Sequence, residues 1–162
     1  MLKELLQKAN QYSIEISGIP QWTKWDVVYG QLQEYIESGS TYVLRDSQDA
    51  ITAVMAIDSE DEVWGDASKD NLAIYLHQLA KDPEKAPPGS GLRLIKFAAA
   101  EAARKGKKYL RCDTSPELIE LLEYYHRLGF EEAGTFIYES SGRPGILLET
   151  PTLTVIQRIP KL

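Results

Sequence analysis

The 162-residue sequence contains one cysteine, Cys112, so it cannot form an intrachain disulfide. No apolar run approaches the roughly 20 residues that a bilayer-spanning helix needs. Residues 1–8 mix charges of both signs around no long apolar centre, so a secretory signal is not expected and the cytoplasm is the default location. Repeats, linkers and low-complexity tracts are missing, and the length suits one domain, residues 1–162, with a core of its own. A basic excess is missing too: the net charge of −6 argues against a general affinity for nucleic acid or anionic membrane. Neither G-x-G-x-x-G nor G-x-x-x-x-G-K-[ST] occurs, which excludes a dinucleotide fingerprint and a nucleoside-triphosphate loop. No pattern assigns a metal.

What is present centres on residues 75–91 and the helix that Gly91 opens. Residues 72–80 are apolar and aromatic, as a strand buried on both faces should be. Pro83, Pro87 and Pro88 end that strand, and Gly89-Ser90-Gly91 leads into an Ala- and Leu-rich helix over 92–105 with Gly106 as its C-cap. Free amides at a helix N-terminus, reached through side-chain-free glycines, suit a phosphate or pyrophosphate. A phosphate-bearing cofactor beside a strand end is one reading, and a plain N-terminal turn is the other. The nearby basic residues Arg93, Lys96, Arg104, Lys105, Lys107 and Lys108 fit either a solvated helix face or a cationic rim around such a cofactor.

Elsewhere, Leu2, Leu5, Leu6 and Ala9 have helical spacing, and a second helix fits 26–38, with Gly39 after it. Trp22 and Trp25 between these helices are either core staples or pocket walls. Strands are expected at 41–45 and 50–57 about a turn at 46–49. The acidic run 58–62 reads as a solvated loop or as a lip attracting a cation. A strand at 108–113 precedes a helix over 116–128, with Thr114 or Ser115 as its N-cap and Pro116 in its first turn. Strands at 130–138 and 152–159, joined by a long link over 139–151, close the chain. The class is α+β: a mixed, mostly antiparallel central sheet flanked by helices, with one parallel crossover.

Several of these residues resemble the GCN5-related N-acetyltransferase superfamily. They are Leu79-Ala-Lys-Asp-Pro83, Gly89-Ser-Gly-Leu92 with its helix, and Tyr124-Tyr-His-Arg-Leu-Gly-Phe130; the last is the most specific. Ile19-Pro-Gln-Trp22 and Val63-Trp-Gly65 are similar to segments of small bacterial acetyltransferases. The resemblance implies a central strand splayed from its neighbour and acetyl-CoA as co-substrate. The cofactor's pantetheine would pair with backbone near Leu79, Ala80 and Lys81, and its pyrophosphate would sit on amides of Gly89, Ser90, Gly91, Leu92 and Arg93. The chain departs from the family pattern at Pro88, at Arg93, and at Leu118, where many relatives carry an asparagine.

Acetyl transfer to an amine needs a base, a stabilised oxyanion and a proton for the departing thiolate. His77 is the candidate base, in a Tyr-Leu-His-Gln-Leu-Ala run similar to a histidine-bearing strand of the family; strand alternation would put Tyr75, His77 and Leu79 on one face, with Tyr75 holding a bridging water. The amide near Leu79 would meet the oxyanion. Tyr125, five residues before Phe130, matches the family's general acid, and Tyr124 would wall the acyl site. A structural histidine and a core tyrosine are the plain alternatives. His126 and Cys112 receive no catalytic role. The implied acceptor is a small-molecule or peptide amine, met by the first two helices and the 139–151 link, and a homodimer is left open. A non-catalytic acyl-CoA-binding module is the second reading. A toxin-type acyltransferase acting on charged tRNA is the third, and the acidic balance speaks against it.

Overall fold

A computed structural model of the chain describes residues 1–158. Five helices run Leu2–Ser17 (α1), Trp25–Glu37 (α2), Ser90–Arg104 (α3), Ile119–Arg127 (α4) and Thr152–Arg158 (α5). Six strands run Thr41–Arg45 (β1), Ile51–Asp58 (β2), Ala73–Lys81 (β3), Tyr109–Thr114 (β4), Glu131–Ile137 (β5) and Pro144–Pro151 (β6), and a 3-10 helix covers Glu62–Lys69. The strands form one open sheet in the order β1-β2-β3-β4-β6-β5, the expected α+β class. β1/β2, β4/β6 and β5/β6 are antiparallel, and β3/β4, joined through α3, is parallel. The β3/β4 register covers only Ala73↔Tyr109, Ile74↔Leu110 and Tyr75↔Arg111, although β3 runs on to Lys81. Such a short ladder is expected of a central strand that parts from its neighbour.

The chain divides into two compact units, Met1–Ile57 with His77–Leu94, and Asp58–Leu76 with Ile95–Leu162. In the first, the helical spacing of α1 and α2 brings Leu5, Leu6, Val28 and Leu32 against Val54 and Ala80. Trp22 and Trp25 pack on this core, so they are staples; Asn10 Oδ1 accepts the Trp22 amide at 2.8 Å. Gly18 ends α1 in the left-handed conformation, and its amide donates to the Ile14 carbonyl. In the second unit, Ile95, Ala98, Ala99 and Ala102 form the fully buried side of α3.

Three expectations are corrected. The closing strand lies at Pro144–Pro151, inside the expected link, and Thr152–Arg158 is helical, while Ile159 lies outside the described residues. The two prolines that suggested a link stand at the first and last strand positions, where a missing N–H is tolerated. Thr152 and Val155 are buried three residues apart while Leu153 is exposed, a helical pattern that outweighs their β-branching. Helix α4 begins at Ile119, not Pro116: Thr114 ends β4, and Ser115 Oγ accepts the Glu117 amide in a separate turn. Finally, part of the acidic run is structural. Asp61 caps the 3-10 helix through the Val63 amide, its own amide donates to Ser68 Oγ, and burial pushes its carboxyl pKa up.

The β5/β6 hairpin has one point of close approach. A Cβ built on Gly145 would lie 2.4 Å from Phe136 Cε1 and 2.9 Å from Tyr138 Cε2, two rings packed edge to face.

Candidate active site

The sequence-identified residues fall into two groups. His77, Leu79, Ala80, Lys81, Gly89, Ser90, Gly91, Leu92 and Arg93 belong to the first unit, and Tyr124 and Tyr125 to the second.

In the first group, β3 loses its regular alternation at Gln78, whose φ of 49° is left-handed for a residue other than glycine. The Gln78 side-chain amide donates to the Val28 carbonyl of α2 at 2.9 Å, which holds the irregularity in place. Leu79 therefore does not continue the face of His77 by simple alternation. The His77 ring stacks on Tyr35 of α2 at 5.4 Å between centroids, 19° from parallel. Ala80 turns its side chain into the core, while Lys81 is exposed.

Beyond β3, Asp82 winds the chain into a turn. Its Oδ1 accepts the amides of Glu84 and Lys85, its carbonyl accepts that of Ala86, and its Oδ2 faces Lys8 Nζ at 3.4 Å. Burial pushes this carboxyl pKa up, but the two amides and Lys8 outweigh it and hold the group below its ordinary value. Gly89 takes φ 84°, and the buried Ser90 donates both its hydroxyl (2.7 Å) and its amide (3.2 Å) to the Pro87 carbonyl. The Arg93 amide donates to the Gly89 carbonyl at 3.0 Å, so the amides of Gly91 and Leu92 precede the first full helical bond. The Arg93 side chain is exposed. A helix start with two amides ahead of its first full bond and no side chain at Gly91 fits a pyrophosphate. Sequence reading passed over Asp82; its signal was an acid followed by proline at a strand end.

In the second group, Tyr125 is 5% exposed. Its ring packs edge-on against Phe130 and Tyr124 at 5.2 and 5.7 Å, and the buried Cys112 thiol neighbours its hydroxyl. Burial, then the neighbouring thiol, pushes the phenol pKa well up, and burial does the same to Cys112; Tyr124 is pushed up to about 12 by burial. Tyr125 is therefore protonated at any working pH. All three groups favour the neutral form when folded, so their stabilisation is complete below the unfolded pKa values and is lost as pH rises. Urea unfolding should show stability declining from about pH 8.5, where an unfolded cysteine ionises. In Cys112→Ala the decline should begin nearer pH 10, where tyrosine ionises; an unchanged onset would remove Cys112 as its source.

The Tyr75 hydroxyl is buried and engaged within the fold, accepting a 2.7 Å bond from Arg111 Nη1. Arg111, also missed in the sequence, gives Nε to Glu149 at 2.7 Å, both Nη atoms to Asp70 and Nη1 to the Ala67 carbonyl, with its guanidinium 4.9 Å from the Trp64 ring centroid. Leu118 is buried directly before α4 and offers no side-chain cap. His126 is exposed, 3.9 Å from Glu132. No helix of the described residues is long and apolar enough to cross a membrane.

No protein-family model matches the chain. An uncharacterized N-acetyltransferase of Bacillus subtilis (strain 168), YesJ, is 29% identical over 103 residues, 61% of this chain and 57% of that protein's own length. A GNAT-family acetyltransferase of Listeria monocytogenes superposes with a TM-score of 0.69 at 21% identity, covering 93% of this chain and 87% of the other. A GNAT-family acetyltransferase of Elizabethkingia anophelis, solved with acetyl-CoA bound, gives a TM-score of 0.57 at 19% identity over 75% and 82% of the two chains. The chain has the fold of the GCN5-related N-acetyltransferases, the superfamily its sequence motifs resemble.

Proposed function

We propose that the chain is an N-acetyltransferase, moving the acetyl group of acetyl-CoA to a primary amine by direct attack in a ternary complex. The observation that carries this reading is the helix start after β3, where Gly91 and Leu92 present amides behind a glycine turn. Acetyl-CoA supplies an activated acyl carbon. The backbone of Leu79, Ala80 and Lys81 pairs with its amide-bearing arm, and Gly89, Ser90, Gly91, Leu92 and Arg93 receive its phosphates. His77, held flat on Tyr35, takes the proton of the attacking amine directly or through water. The new C–N bond forms as the C–S bond breaks, the oxyanion meets the amide near Leu79, and Tyr125 gives the sulfur a proton. Tyr124 walls the acyl site. The acceptor is a small-molecule or peptide amine met by α1 and α2. On this reading residues 1–162 work as one cytoplasmic domain.

A second reading, a non-catalytic acyl-CoA-binding module, is favoured by Leu118, which has no amide to hold a cofactor arm. Calorimetric titration with acetyl-CoA, desulfo-CoA and ATP, followed by a free-thiol assay with amine mixtures, separates the two. Micromolar binding of acetyl-CoA that ATP does not reproduce, with thiol release on adding amine, is expected. Binding without release would select the module, and no binding would sink both.

A further inference from the structure

The proposed site has two separate holds on one ligand, the backbone of Leu79–Lys81 and the amides that open α3, and residues 82–86 join them. Asp82 is 6% exposed, a position where a carboxylate is costly unless its hydrogen bonds are met. They are met by the connection itself. The Asp82 amide donates to the Thr52 carbonyl of β2 at 2.8 Å, which anchors the turn to the sheet. Its carbonyl accepts Ala86 N–H at 2.9 Å, and Oδ1 accepts Glu84 N–H at 2.9 Å and Lys85 N–H at 3.2 Å. These bonds wind the whole connection into one turn. Ser90 fixes the next step through its two bonds to Pro87. Along the path from the end of β3 to the first turn of α3, the side chains that hold the backbone are thus the Asp82 carboxylate and the Ser90 hydroxyl.

We infer that Asp82 is a positioning residue that sets the span between the arm-pairing backbone at Leu79–Lys81 and the phosphate-binding amides at Gly89–Arg93, so that one acyl-CoA molecule engages both. The inference rests on the acetyl-CoA reading above. A ligand held at two points gains from a fixed span, because its second contact forms at an effective concentration set by that span. A ligand held at one point gains nothing from it.

The test uses the full chain, with calorimetry for acetyl-CoA and NMR titration for two fragments. S-acetyl-pantetheine reaches only the arm site, and adenosine 3′,5′-bisphosphate only the phosphate site. Asp82→Ala should weaken acetyl-CoA binding about tenfold, as loss of a buried acceptor for two amides implies, while each fragment stays within about twofold. Asp82→Asn keeps Oδ1 as acceptor and loses only the charge toward the half-exposed Lys8, so it should restore affinity to within about threefold of the original chain. Asp82→Ser, which leaves one short acceptor in place of the carboxylate, should give a smaller loss of the same selective kind and serves if Asp82→Ala does not fold. Equal weakening of acetyl-CoA and both fragments would mark Asp82 as merely structural and overturn the inference. Normal acetyl-CoA affinity in both Asp82→Ala and Asp82→Ser would overturn it alone. Failure of the unmodified chain to bind acetyl-CoA would overturn the functional reading and this inference together.

Discussion

Arg111→Ala should lower the free energy of unfolding by roughly 3–5 kcal/mol, the cost of removing one partner from a buried ion pair. Arg111 is 4% exposed, yet its charge is met by Asp70 and Glu149, each side chain 28% exposed. Burial alone would lower its pKa; the bonds to Asp70, Glu149 and Tyr75 outweigh burial and raise it, so the guanidinium stays charged. Alanine would leave the Tyr75 hydroxyl buried without its donor and the two carboxylates uncompensated, and would empty the space against Trp64. Arg111→Met refills most of that space without the charge, and should recover part of the loss. The acid limb gives an independent check. Arg111 holds the Asp70 pKa below its ordinary value. That contribution is therefore complete above the unfolded value of about 3.9, and is lost as pH falls through the folded one. The gap between the original chain and Arg111→Ala in chemical denaturation should be widest near pH 7 and narrow below about pH 4. A loss under about 1 kcal/mol, the scale of a surface pair, would show that the network does not secure the 3-10 segment to β4.

Tyr125→Phe should reduce turnover about a hundredfold, the lower part of the range for a positioned acid, while acetyl-CoA affinity changes less than about twofold. Phenylalanine preserves the ring contacts with Phe130 and Tyr124, so any folding change should be small. The phenol is kept protonated, so on the proposed reading its proton is always present; with its pKa raised, the expected gain is from a hydrogen bond that strengthens as charge develops on the sulfur rather than from full transfer. Tyr124→Phe, changing the half-buried neighbour, should lose under tenfold. If Tyr125→Phe keeps its rate and Tyr124→Phe does not, the acid is Tyr124.

Local signals in the chain were strong where periodicity and punctuation agreed. Helix α1, the β1/β2 pair, β3 and the glycine turn with α3 all follow from apolar spacing, β-branched runs and Gly or Pro boundaries. They failed near the end, where Pro144, Gly145 and Pro151 hid a buried strand and β-branched Thr152 and Val155 disguised a helix; only tertiary burial separates those cases. At the candidate site, the motif residues could be named from sequence, but not what holds them. Gln78 breaks the alternation that would have put Leu79 on the face of His77, and no residue type announces a left-handed glutamine. Arg111 did leave a trace, a charge between Leu110 and Cys112 in a strand, and such a charge demands partners. Those partners, Asp70 and Glu149, lie 41 and 38 residues away, beyond the reach of any local pattern.

The crowding over Gly145 bears on how faithfully the hairpin pairs. Hydrogen bonds alone do not distinguish the observed alignment, Phe136 opposite Gly145, from one shifted by a single residue. Sterics do: a shift would bring the branched side chain of Ile146 or the ring of Pro144 beneath an aromatic pair that cannot clear even a methyl carbon without moving. The bare position at Gly145 thus favours the observed alignment of β5 with β6 over its one-residue neighbours.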